Sequence, residues 1–95
     1  MNLRVVSKNV HEVTYNRDVD KDMPVTTIVL FSFGVAVAAR IPDGTFVATT
    51  FEHSRTTKQH ISKFVEMRYT RFVSQWTIDN IVNLNWDELP KIVSI

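Results

Sequence analysis

Apolar positions change their spacing part-way along this chain, and the change divides it into a strand-rich half and a helical half. Val10 to Tyr15 alternates, with Val13 and Tyr15 on one side and Glu12 and Thr14 on the other, the period of a short strand. Asn16 to Met23 is charged and reads as a loop, with Pro24 opening the next element. Thr26 to Phe33 and Val35 to Ile41 are rich in β-branched and aromatic residues and read as two strands. Gly34 between them marks a bulge or sharp bend, because a residue without Cβ tolerates the dihedrals required. Pro42-Asp43-Gly44 is the clearest turn, with Gly44 as the left-handed residue of a three-residue hairpin. Thr45 to Phe51 then returns. In that register Val35, Val37, Ala39 and Ile41 share a face with Val47, Thr49 and Phe51, and Ala36, Ala38, Phe46 and Ala48 take the other. Both faces are apolar, so the hairpin belongs inside a sheet, and the alanines let a helix approach closely.

Downstream the period lengthens. Thr56-Thr57-Lys58-Gln59 fits a capping box, and Ile61, Phe64, Val65, Tyr69, Phe72 and Trp76 fall on one stripe at about 100° per residue. The pattern predicts a long helix from Thr57 towards Ser74. Arg68 lies in that stripe, where a guanidinium either snorkels to the edge or, as the default, is buried against a carboxylate such as Glu12, Glu52 or Asp79. Thr77 to Leu84 leans towards a final strand, and Asn85-Trp86-Asp87-Glu88 opens a short helix limited by Pro90. The expected fold is α+β: a mainly antiparallel sheet of four to five strands, one long helix packed on it and a short C-terminal helix. Residues 1–95 make one domain. If the helix covers one face of the hairpin, a homodimer is one way to seal the other.

Composition removes several classes of function. Among 95 residues there are no cysteines, which excludes disulfides, thiolate metal sites and cysteine nucleophiles and favours a reducing compartment. The N-terminus lacks the apolar core of a signal peptide, and the apolar run from Ile28 to Ala39 is too short for a membrane helix. No membrane is expected, and the cytoplasm is the expected location. Net charge is +1, so only a local patch can select a charged partner.

The candidate chemistry is sparse. Asp18, Asp20 and Asp22 alternate like the start of a calcium loop, but Met23 and Val29 stand where glycine and the bidentate glutamate are required. His53 and His60 with Glu52 match no zinc spacing, and Ser54 sits in no nucleophile elbow. Two glycines, Gly34 and Gly44, cannot make a phosphate loop. No cofactor, no metal and no enzymatic activity are expected. The outward face of the helix carries Lys58, Lys63, Met67 and Arg71, with Arg55 just before it. Residues 53–71 hold five Lys or Arg and two His against Glu66 alone. With His60, these form the expected partner-binding face.

From about Ile28 to Phe64 the chain resembles short tailed-bacteriophage proteins classed as a domain of unknown function. The likeness lies in Phe31-Ser32, Val35-Ala36, Asp43-Gly44 with Phe46-Val47-Ala48-Thr49, and above all in Ser54-Arg55-Thr56-Thr57-Lys58-Gln59-His60-Ile61 with Phe64. It implies a phage origin, a hairpin-then-helix core, and Ser54, Arg55, Thr57 and His60 as a functional cluster. The expected function is therefore a bacteriophage-encoded binding protein in the host cytoplasm, docking on a host or phage protein to modulate or inhibit it. The alternative is a nucleic-acid-binding accessory protein using the basic face.

Overall fold

The structure, a computed structural model, describes residues 2–17 and 25–93. Asp18, Asp20, Asp22 and Pro24 lie outside the described residues. Six strands form one sheet in sequence order: β1 (Asn2–Ser7), β2 (Val10–Arg17), β3 (Val25–Ser32), β4 (Val35–Arg40), β5 (Phe46–Thr49) and β6 (Thr70–Val73). β5 and β6 pair in parallel, and every other neighbouring pair is antiparallel. The parallel pair requires a crossover, which α1 (Arg55–Val65) supplies. Two short helices follow, α2 (Gln75–Asn80) and α3 (Leu89–Ile92). The class is α+β as expected, with a mixed six-stranded sheet in place of four or five strands.

The long helix does not form. α1 stops at Val65 because Glu66 and Met67 both take left-handed dihedrals, φ 48° and 64°, and Thr70–Val73 continues as strand. Tyr69, Phe72 and Trp76, expected on the buried stripe, are 76%, 65% and 64% exposed. Their three- and four-residue spacing is real, but it spans a helix end, a strand and a second helix. The capping residue also differs. Ser54, extended at φ −61° and ψ 160°, accepts from the Thr57 N–H, leaving Thr56 exposed and outside the cap.

The faces are set by a bulge that lies away from Gly34. Leu30 pairs with Ala38 and Phe31 with Ala36, so Val37 is the extra residue of β4. This reverses the alternation across it. Ala36 joins Ala39, Ile41 and Val47 on one face, and Val37 joins Ala38 and Ala48 on the other. Gly34, expected at a bulge or bend, occupies a two-residue turn with Phe33; both have positive φ, 52° and 79°, as a type I′ hairpin demands. Gly44 has φ 92° and its N–H donates to the Ile41 carbonyl, closing the expected three-residue loop.

The face bearing Ala39 and Val47 is sealed by the C-terminal segment, through Ile78, Ile81, Trp86, Leu89 and Val93. Thr77–Leu84 is thus helix and turn where a strand was expected, and Pro90 lies in the first turn of α3, where its fixed φ helps to start the helix. Arg17 of β2 clasps this segment. Its guanidinium lies 4.2 Å from the Trp86 ring centroid and donates to the carbonyls of Val82 and Leu84. With that face covered from within the chain, the reason for invoking a second copy there disappears. No helix among the described residues is long and apolar enough to cross a membrane.

Candidate functional site

On the opposite face α1 packs Ile61 and Phe64 over Leu30, Val37, Ala38 and Ala48. The part of this face on β1, β2 and the near end of β3 lies beside the helix. Cross-strand pairing aligns Arg4 with Glu12 and Leu30 in one row, and Ile28 with Arg40 and Phe46 in the next. Between these rows and α1 runs an open groove of about 910 Å³. Val6, Ile28 and Phe64 give it partly exposed apolar surface.

Its charge is one-sided. Arg4 and Arg40 rise from the sheet, Arg55, Lys58 and Lys63 from α1, and Arg68 from the segment after it. Six of the chain's eleven Lys and Arg therefore line this one groove, against two carboxylates, Glu12 and Glu66. Arg4 lies 3.9 Å from Glu12. Among the described residues none of the other five cations has a carboxylate within salt-bridge distance. Arg68, expected in a buried ion pair, is exposed and sits over the Phe46 ring at 5.1 Å. Six cations against two carboxylates raise the local potential, so the groove favours an anion over a cation.

Three of the four residues singled out by the resemblance, Ser54, Thr57 and His60, meet in the first two turns of α1. Thr57 Oγ1 lies 3.2 Å from Ser54 Oγ and 3.0 Å from Ser32 Oγ, and Ser32 Oγ lies 2.8 Å from His60 Nδ1. In the sequence Ser32 stands out only as a polar residue after Phe31 in an apolar run. The last residue of β3, it is 2% exposed, and Thr57 is 4% exposed. A hydroxyl against an imidazole is the beginning of a nucleophile–base pair. Here the hydroxyl is closed off from substrate and shared with Thr57, and the contact fastens α1 to the sheet. The half-buried His60 ring also meets Phe33 at 5.8 Å, and it borders the groove. Arg55 is apart from this chain of hydroxyls and belongs to the groove.

Of the expected partner-binding residues, Arg55, Lys58, His60 and Lys63 converge on the groove. Met67 is fully exposed on the left-handed turn after α1 and is not part of the groove lining. Arg71 leaves the set: it pairs with Val47 on β6, so its side chain lies on the face opposite α1, against Tyr69 at 5.5 Å. Three groove cations were missed. Arg40 interrupts an apolar strand, which is the available signal; Arg4 stands in β1, a segment without clear alternation; Arg68 fits a helical period but lies beyond the end of α1.

A second, smaller hollow of about 390 Å³ follows the other flank of α1, towards the edge strand β6. Phe51 and Phe72 line it and are 63% and 65% exposed, while Lys58 and Ser62 line both hollows. His53 contacts the Phe51 ring at 4.9 Å and shares a 3.0 Å hydrogen bond with Gln75. His53 and His60 thus have different partners on different sides of the helix, and no group of three or more metal-ligating side chains occurs among the described residues.

Residues 1–80 match a family of unknown function, DUF8033. The chain belongs to that family. The match takes in all six strands of the DUF8033 domain, α1 and α2, and stops before Trp86 and α3. Comparison with curated proteins and with solved structures returned no match.

Proposed function

We propose that this DUF8033 domain is a binding protein without catalytic function that holds nucleic acid in the groove between α1 and the outer strands. One observation carries the reading: six cations from four separate parts of the chain converge on one groove, five of them without a carboxylate partner among the described residues. Phosphates are the anions that such a line of guanidinium and ammonium groups fits. The resemblance to tailed-bacteriophage proteins supports placing this binding in an infected cell, as an accessory to nucleic-acid transactions there. Five phosphate contacts on a single strand imply a log–log salt slope near −3.5, or about a hundredfold loss of affinity between 50 and 200 mM salt. Fluorescence anisotropy with a labelled oligonucleotide measures it. R40E/K58E/K63E should abolish binding, and R71E, on the far face, should leave it within about twofold. Unchanged binding by the triple variant would remove the groove from consideration.

The second reading, docking on a host or defence protein to modulate it, is favoured by the other sheet edge. Leu3, Val5 and Val6 of β1 are 64%, 64% and 46% exposed beside an unpaired strand edge, the arrangement to which a partner's strand adds. That complex would change little with salt, and L3S/V5S would disrupt it.

A further inference from the structure

We infer that the nucleic acid is single-stranded, with its phosphates along the cationic groove and its bases stacked on Phe51 and Phe72 across the α1 ridge. The inference rests on the groove reading and adds the ligand's strandedness. Two features point to unpaired bases. The groove lining offers partly exposed apolar surface at Val6, Ile28 and Phe64 among the cations. A duplex keeps its base faces inside its own stack and would leave that surface and both rings uncovered, whereas a single strand carries charge and open π-faces together. The second feature is the continuity of the two hollows. Lys58 and Ser62 border both, so a strand held by Lys58 is beside Phe51 and Phe72 once it passes the ridge. Both rings are mostly solvent-exposed, which is unusual for two phenylalanines lining one hollow and leaves π surface free for stacking.

The test is anisotropy at 50 mM salt with labelled dT12 and rU12, and a hairpin duplex of matched charge and poly-glutamate as competitors. Wild-type protein should bind at least one single strand ten times or more tighter than the duplex. F51A and F72A should each weaken single-strand binding by roughly tenfold while leaving the salt slope unchanged. Their urea midpoints, equal to wild type because both side chains are exposed, confirm folding. Wild-type affinity in F51A/F72A overturns the stacking, and equal duplex affinity overturns the single-strand claim; in both cases the groove reading survives if R40E/K58E/K63E still abolishes binding. Displacement by poly-glutamate at equal charge concentration would assign the groove to an acidic protein instead. Failure of every oligonucleotide to bind sinks this inference and the function beneath it.

Discussion

Replacing Ser32 by alanine tests whether the hydroxyl chain at the start of α1 is a fastening. Ser32 Oγ lies 2.8 Å from His60 Nδ1 and 3.0 Å from Thr57 Oγ1, and the residue is 2% exposed. A net value near 1 kcal/mol per hydrogen bond gives about 2 kcal/mol for the two. The penalty should not rise much above that, because Thr57 keeps Ser54 and half-buried His60 can reach water. For a domain of this size 2 kcal/mol lowers the melting temperature by roughly 10 °C, and the urea midpoint by about 1–2 M. Intrinsic fluorescence follows the transition, since Trp86 is buried while Trp76 is already in water. H60A and the double variant complete a cycle, with an expected Ser32–His60 coupling of about 1 kcal/mol. If S32A lies within about 0.5 kcal/mol of wild type, or the coupling is near zero, the two side chains do not hold helix to sheet and the fastening argument fails.

Other perturbations reach the rest of the fold. L89A opens a cavity under the C-terminal segment and should cost about 2–5 kcal/mol in urea unfolding, while F72S costs under about 0.5; the reverse order would contradict the burial described. E66G should raise stability by about 1 kcal/mol or more, because glycine suits φ 48° and the change removes an anion from the negative end of α1; a lower thermal midpoint would refute this. T27V should also stabilise, by about 1 kcal/mol, since Thr27 is fully buried and its hydroxyl has no partner among the described residues; a loss measured by chemical denaturation would mean that the hydroxyl is satisfied.

What the sequence made legible was governed by local rules. The Pro42-Asp43-Gly44 loop, the faces of Val13 and Tyr15, and the helical period from Thr57 to Phe64 each depend on neighbours within a few residues. What it hid depended on distant partners. The end of α1 turns on Glu66 and Met67, two residues with side chains that ordinarily avoid left-handed dihedrals, so nothing local announced it. Tyr69, Phe72 and Trp76 continued the apolar count without sharing an element. The bulge at Val37 arises from register between β3 and β4, which a single strand's alternation cannot reveal. The groove was half visible, through Arg55, Lys58, His60 and Lys63, because they are close in sequence. Arg4 and Arg40 join them only once the sheet places β1 and β4 on the same side.

The groove itself follows from the topology. Six strands at about 4.8 Å spacing make a sheet roughly 24 Å across, and a helix about 10 Å wide covers less than half of that. α1 connects β5 to β6 but lies over β3 and β4, with Ile61 and Phe64 resting on Leu30, Val37, Ala38 and Ala48, so β1 and much of β2 on one side of it stay open. The sequence matches this division: small apolar residues, Ala38 and Ala48, lie under the helix, and Arg4 and Arg40 lie beside it. Solvation alone would be served by mixed signs, as elsewhere on a chain with nearly equal numbers of acids and bases. A groove that collects six cations and two carboxylates instead carries mutual repulsion that an anion would relieve, and it is this excess, more than the shape, that makes it the candidate site.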